Sequence, residues 1–249
     1  MFTDTHCHLY KEYYNDLDII LKQAESNNVN RYIVAGCNQK SNEEVIKLIN
    51  NYSNIYGTLG IHPEDVENYN EKDLYFIEKN LSNKKIIAIG EIGLDYYYTK
   101  ENKEEQIKLF ERQLAIAEKY NKPVVIHSRE ATQDTIDTLK KYKVKGVIHS
   151  FSGSLEVAKI YIKMGFLIGV NGVITFKNSK VKDVIKELGL ENIILETDSP
   201  YLTPHPYRGT QNSPKYILNI AEFIANLYSV DLEKLAKITN DNISRIFDI

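Results

Sequence analysis

The chain has 249 residues, 43% hydrophobic and 26% charged, and its 34 acidic and 31 basic side chains give a formal net charge of -3. This is ordinary globular composition; it excludes a basic nucleic-acid coating protein, which needs surplus Lys and Arg on one surface, but not an enzyme that acts on nucleic acid. Two cysteines, Cys7 and Cys37, are too few for a disulfide framework. With no apolar leader behind Met1 and no run of roughly 18 apolar residues, the expected location is cytoplasmic, off the membrane.

In chain order, short Ile- and Val-rich runs alternate with longer amphipathic stretches. The pattern predicts strands over Phe2–His6, Arg31–Ala35, Ile55–Gly60, Ile86–Glu91, Val124–His127, Gly146–His149, Phe166–Val170 and Ile193–Asp198. Between them, Ser41 with Glu44 has the spacing of a capping box and starts a helix after the second strand. Ile107, Phe110, Leu114 and Ala117 share one face of a 3.6-residue period after the fourth. Ser213 before Pro214 places a capping hydroxyl at a helix start after the eighth. A final segment, Asp231 to Phe247, sets Leu232, Leu235 and Ile238 on one side and is expected to pack on the outside of the fold. No Gly/Ser- or Pro-rich linker interrupts the rhythm, so one domain over residues 1–249 is expected. Its architecture is α/β, a single (β/α)8 TIM barrel with an additional C-terminal helix, in preference to an open doubly wound sheet.

A barrel gathers the C-terminal ends of its strands around one mouth, and these strand ends are polar. His6 and His8, two apart, share a face of the first strand; Glu91, His127, His149 and Asp198 end the fourth, fifth, sixth and eighth. A lone His at a strand end is more often a packed, hydrogen-bonded residue than a ligand. Four imidazoles and two carboxylates closing five strands of one apolar barrel are different, because leaving them unpaired costs several kcal/mol, on the order of 2 or more each. A metal centre satisfies them all. Six ligands exceed one tetrahedral ion, so the expectation is two divalent cations. His6, His8 and Asp198 take one, His127 and His149 the other, and Glu91 bridges. Nitrogen-rich ligation favours Zn, Mn, Co or Ni over Mg.

These residues sit in segments that resemble the TatD family of metal-dependent deoxyribonucleases, within the amidohydrolase-like barrels. The matching stretches are Asp4 to His8, Gly60 to Pro63, Gly90 to Asp95, His127 to Ala131, His149 to Gly153, Glu196 to Pro200, and Arg208-Gly209 with Asn212 and Pro214. Asn242 and Phe247 resemble the family's C-terminal end. The resemblance implies a phosphodiester hydrolase acting on DNA, with 3′ to 5′ exonuclease polarity. The residues themselves leave open exonuclease or abasic-site endonuclease, and DNA or RNA. Asp198 is the candidate general base, with Glu91 the second catalytic residue.

Further candidates surround this centre. His62 is either a hydrogen-bond donor to substrate phosphate or structural, and Arg129 and Arg208 are placed to grip phosphate. Asp4, Asp95 and Glu196 are expected to orient imidazoles, and Tyr96, Tyr97 and Tyr98 could stack on bases. The alternatives are a binuclear amidohydrolase-like enzyme cleaving a small-molecule lactone, amide or phosphoester, and a catalytically idle binding protein. Such small-molecule hydrolases often bridge their metals with a carbamylated Lys on the fourth strand. Glu91 in that place, together with Arg129 and Arg208, favours a nuclease. No obligate protein partner is implied.

Overall fold

In the computed structural model, which describes residues 1–249, eight parallel strands alternate with helices along the whole chain. The order is β1 (Phe2–Cys7), α1 (Leu17–Glu25), β2 (Val29–Ala35), α2 (Gln39–Asn51), β3 (Ile55–Leu59), α3 (Glu71–Asn80), β4 (Ile86–Asp95) and α4 (Lys103–Lys119). It continues through β5 (Val124–Arg129), α5 (Thr132–Leu139), β6 (Gly146–Ile148), α6 (Leu155–Lys163), β7 (Phe166–Val170), α7 (Val181–Leu188), β8 (Ile193–Leu195), α8 (Ile217–Tyr228) and α9 (Leu232–Phe247). Each strand pairs with its sequence neighbour. The ring closes beyond β8, where the Asp198 N–H donates to the His6 carbonyl (2.9 Å) and the His8 N–H to the Ser199 carbonyl (2.7 Å). This is the TIM barrel that the alternation predicts. No helix is long and apolar enough to cross a membrane.

Strand parity divides the apolar residues into two cores. One face of each strand packs against the helices and joins a cluster of 55 buried residues. The other face fills the barrel with Ile33, Ile87, Val125, Val147, Leu167 and Ile194. Because side chains alternate with period 2, the inward row continues upward to different residues. Val125 leads to His127, Val147 to His149, and Ile194 to Glu196 and Asp198. The barrel is therefore apolar below and polar at its mouth, and in β5, β6 and β8 the change occurs within one step.

The last helix does more than its sequence pattern predicts. Ile243, Ile246 and Phe247 of α9 join the interior cluster rather than the outer one. Nearby, Asn240 binds Thr3, Arg31 and the Met1 carbonyl, Asn242 donates to the Leu190 and Ile193 carbonyls, and Arg245 to that of Glu191. All these partners lie at the N-terminal ends of strands. The helix thus packs its first half on the outer cluster through Leu235 and Ala236, with Leu232 and Ile238 against it, as expected, and closes the barrel floor with its second half.

Smaller differences have local causes. The N-cap of α2 is Asn38, with Ser41 as the third helical residue and the two exchanging the reciprocal bonds of a capping box, so the helix begins a turn before the Ser41–Glu44 reading. Glu44 instead accepts from the Lys11 N–H (2.6 Å). Ser213 does precede a proline-led turn, but its hydroxyl makes no cap bond. On α4 the buried face carries Phe110, Leu114 and Ala117, with Gln106, Leu109 and Gln113, while Ile107 is half-buried. Strand β4 runs on to Asp95 because an extra residue between Ile89 and Ile92 bulges it against β5. Strand β8 stops at Leu195, and Glu196 to Asp198 leave regular pairing to reach the mouth.

Candidate metal centre

Glu91, almost fully buried, stands at the β4 bulge with its two oxygens facing opposite groups. Oε1 lies 2.9 Å from His127 Nδ1, 3.6 Å from His149 Nε2 and 3.7 Å from His62 Nε2. Oε2 lies 3.3 Å from His6 Nε2. On that second side Asp198 Oδ1 is 3.4 Å from His8 Nε2 and 3.8 Å from His6 Nε2, and the two imidazole Nε2 atoms are 3.3 Å apart. All six residues expected at the centre converge here. His149 belongs to both sides: its ring stacks on His6 at 3.6 Å, and its Nε2 is 3.7 Å from Asp198.

Two carboxylates behind the centre hold imidazoles in place. Asp95 Oδ2 is 2.9 Å from His127 Nε2 and Glu196 Oε1 is 3.0 Å from His149 Nδ1, which turns His127 Nδ1 and His149 Nε2 toward Glu91. Glu196 also accepts from the Ser150 N–H (2.6 Å). It fits only because the inward residue of β7 is Gly169, where a Cβ would stand 2.5 Å from its Oε2. Asp4 departs from expectation: its carboxylate accepts from the Thr197 N–H (2.9 Å) and hydroxyl (2.5 Å) and reaches no imidazole. It ties β1 to the segment after β8, at the seam that backbone pairing leaves incomplete.

The charges follow from this packing. Burial alone would raise the carboxyl of Glu91, but His149, His6 and the hydrogen bond from His127 hold it well below the usual range. Asp198 behaves likewise under His149 and His8. Burial works against protonation of His149, yet Glu196, Glu91 and Asp198 raise it to about 10; His127, between Asp95 and Glu91, rises to about 9. His62 goes the other way, to about 3, through burial and the neighbouring His127. Its Nδ1 accepts from the Glu64 N–H (3.3 Å), so the ring proton sits on Nε2 and faces the mouth as a donor.

The donor set fits divalent cations. Imidazole nitrogens and carboxylate oxygens converge within 4.8 Å in the group His6–His8–Asp198, and on the other side His127 Nδ1 and His149 Nε2 lie 2.9 and 3.6 Å from Glu91 Oε1. His6 Nε2, His8 Nε2, Glu91 Oε2 and Asp198 Oδ1 lie close together, a set of donor atoms that one cation can satisfy at once. Asp198 itself adopts the left-handed region, at φ 58°.

Above the cluster opens a cavity of about 850 Å³ that is lined by His62 and Arg129 and by Tyr10, Tyr13, Tyr98 and Tyr201. Arg129 lies across Tyr97 at 3.6 Å and near Tyr98 at 5.3 Å. Tyr13 and Tyr201 share a hydroxyl hydrogen bond of 2.8 Å at the opposite rim. Tyr96 instead is buried, with its hydroxyl on Asp134. Arg208 stays apart: it is exposed, stacks at 4.1 Å on Phe176, and does not line the cavity. Cys37, to which the sequence pattern assigns no role in the site, stands two residues past Ala35 in the inward row of β2 and enters the cavity beside His8 and Glu91.

A family model described as TatD related DNase matches residues 3–248. The chain is 40% identical to the uncharacterized metal-dependent hydrolase YabD of Bacillus subtilis across 100% of both chains. It is 35% identical to the uncharacterized metal-dependent hydrolase YcfH of Escherichia coli, over 99% of this chain and 95% of that one. Its structure superposes on the crystal structure of the Escherichia coli TatD homologue YjjV with a TM-score of 0.93 and 31% identity, covering 100% of this chain and 98% of the other.

Proposed function

The chain belongs to the TatD family of metal-dependent hydrolases, and from that premise we propose that it is a deoxyribonuclease that cleaves phosphodiester bonds at the mouth of the barrel, working from the 3′ end. The observation that carries this reading is the division of Glu91 between two donor groups beneath a cavity that presents Arg129 and His62. His6, His8 and Asp198 would hold one divalent cation and His127 and His149 a second, with one Glu91 oxygen toward each. Zn, Mn, Co and Ni suit the nitrogen-rich set better than Mg. When bound, such cations supply Lewis acidity, polarising a phosphoryl oxygen and lowering the pKa of water toward about 7.

The protein's own groups do the rest. Arg129 offers paired N–H donors to a phosphate and is held in position by the Tyr97 ring. His62 Nε2–H donates to a second phosphate oxygen, and its lowered pKa keeps the ring neutral for that task. Asp198 directs Oδ1 to the imidazoles and keeps Oδ2 for the proton of the attacking water. Because it is ionised at neutral pH, it can act as the general base. Arg208 takes no part in this reading.

The test is hydrolysis of 3′- and 5′-labelled single-stranded DNA by chelator-stripped protein, with Mg, Mn or Zn restored separately. Metal-dependent, stepwise shortening from the 3′ end, lost in Glu91→Gln and nearly abolished in Asp198→Asn, is the expected result. Asp198→Asn activity within a few fold of wild type would remove that residue from the mechanism. Absence of cleavage with any metal, in protein that still takes up cations, would transfer the assignment to a small-molecule hydrolase. RNA in place of DNA would define the sugar preference.

A further inference from the structure

The rings at the mouth do not surround it evenly. His8, Tyr10, Tyr13 and Tyr201 form one wall above the β1–β8 seam, with ring centroids 5.6 Å apart for His8 and Tyr10, 5.9 Å for Tyr10 and Tyr13, 5.9 Å for Tyr13 and Tyr201, and 6.0 Å for Tyr201 and His8. The backbone under the wall is pinned. The Tyr13 N–H donates to the Tyr10 carbonyl (3.0 Å) and the Tyr201 N–H to that of Asp198 (2.8 Å), while the side-chain amides of Gln211 and Asn212 donate to the Tyr13 and Tyr201 carbonyls. The wall thus starts at a residue of the centre and rises to Tyr201, which is half exposed. Arg129 stands across the mouth at the end of β5, the strand farthest from β1 in an eight-membered ring. The two sides also differ in charge. The loops after β1 and β8 bring no Lys or Arg to the cavity lining, and Glu12 there is ion-paired with Lys40 of α2 (2.6 Å).

Resting on the reading of the protein as a deoxyribonuclease that works from the 3′ end, we propose that Tyr13 and Tyr201 form the subsite for the base of the nucleotide being released. The retained strand carries a phosphate at every step and suits the side that holds a guanidinium. The nucleotide beyond the scissile bond carries no further phosphate and suits the side that offers aromatic faces without a free cation. Its base stacks on the Tyr201 ring, which the hydroxyl hydrogen bond with Tyr13 (2.8 Å) keeps in place. The preferred substrate is then a single strand whose 3′-terminal nucleotide presents an unpaired base. A terminal nucleotide that lacks its base, or keeps it in a duplex stack, is removed slowly.

The experiment compares manganese-restored wild type, Tyr201→Ala and Tyr201→Phe on single-stranded oligonucleotides whose 3′-terminal nucleotide either carries a base or is an abasic tetrahydrofuran. Wild type is expected to remove the base-bearing nucleotide with a kcat/KM about 5–150-fold higher, the range that one stacked base contributes. Tyr201→Ala is expected to lose most of that preference, and Tyr201→Phe, which keeps the ring, to retain it. Stacking is read separately from cleavage, by the fluorescence of 2-aminopurine placed at the 3′ end behind an uncleavable methylenephosphonate linkage, with binding followed by the anisotropy of a 5′-dye-labelled copy. The chain has no Trp to interfere. Bound oligonucleotide is expected to be quenched by wild type and Tyr201→Phe but not by Tyr201→Ala. Binding without quenching, a wild type indifferent to the base, or a preference that survives in Tyr201→Ala would overturn the stacking subsite and leave the deoxyribonuclease reading standing. Failure of wild type to bind or cleave either oligonucleotide would overturn that reading and the subsite together.

Discussion

Glu196 offers a way to separate charge from hydrogen bonding in the support of the centre. Its Oε1 accepts from the Ser150 N–H at 2.6 Å and lies 3.0 Å from His149 Nδ1, and the side chain is fully buried. Glu196→Gln keeps an acceptor oxygen of the same shape for both donors but removes the negative charge that makes His149 basic. A lost carboxylate behind a ligating imidazole typically weakens metal affinity about 10–100-fold, which corresponds to roughly 1.4–2.7 kcal/mol. Glu196→Ala goes further, leaving both donors buried without an acceptor at about 1–3 kcal/mol each. For a chain of this size the melting temperature then falls by roughly 2–4 °C per kcal/mol. The assay pairs competition for Zn²⁺ against a chromophoric chelator with thermal unfolding of the stripped protein. Weakened zinc binding with near-wild-type stability is expected for Gln, and losses in both for Ala. Zinc affinity within twofold of wild type in Glu196→Gln would refute the argument that this carboxylate acts through His149.

Three other outcomes follow from the geometry. In the metal-stripped protein the raised pKa values of His149 (about 10) and His127 (about 9) contribute stability that is complete below about 6.5 and disappears as pH rises through the folded values; Asp4, raised to about 8 by burial, loses its contribution in the same direction. The melting temperature should therefore fall between pH 6.5 and 10, and a rise across that window would contradict the assignment. Phe247→Ala opens the barrel floor at about 3–5 kcal/mol, a drop of roughly 6–20 °C, with zinc uptake at low temperature unchanged; calorimetry showing less than a 3 °C shift, about 1 kcal/mol, would mean that α9 does not seal the interior. Asn38→Ala should cost about 0.5–2 kcal/mol through loss of the α2 cap, whereas Glu44→Ala should leave the start of that helix intact, as chemical denaturation would show.

The sequence was most legible where two periodicities met. Val125 before His127, Val147 before His149 and Ile194 before Glu196 show the interior row turning polar at a fixed step, so the polar ends of β5, β6 and β8 could be read without coordinates. Other features depend on information that one-dimensional patterning lacks. The spacing in α9 shows that one face is buried but not that Phe247 is buried inside the barrel. Asp4 and Glu196 both lie two residues before a centre residue, yet the bulge in β1 and the irregular chain after β8 send one to Thr197 and the other to His149. Arg208 sits in a loop whose path no periodicity fixes. Asn38 and Ser41 are both competent caps, and only the backbone of the preceding loop selects the first.

The seam between β1 and β8 also constrains how the chain can be assembled. The first strand finds its left-hand neighbour, the Asp4–Thr197 clasp and the floor residues of α9 only in the last fifth or so of the polypeptide. During synthesis, β1 therefore waits with one row of peptide groups unpaired while the interior remains open underneath, the kind of exposed edge on which nascent chains associate wrongly. Closure depends on contacts nearly the full length of the chain apart, and such distant pairings are slow to form. Ribosome-stalled chains that stop short of Thr197 should consequently engage chaperones and resist compaction, while release of the α9 segment should collapse the cylinder and assemble its mouth in the same event.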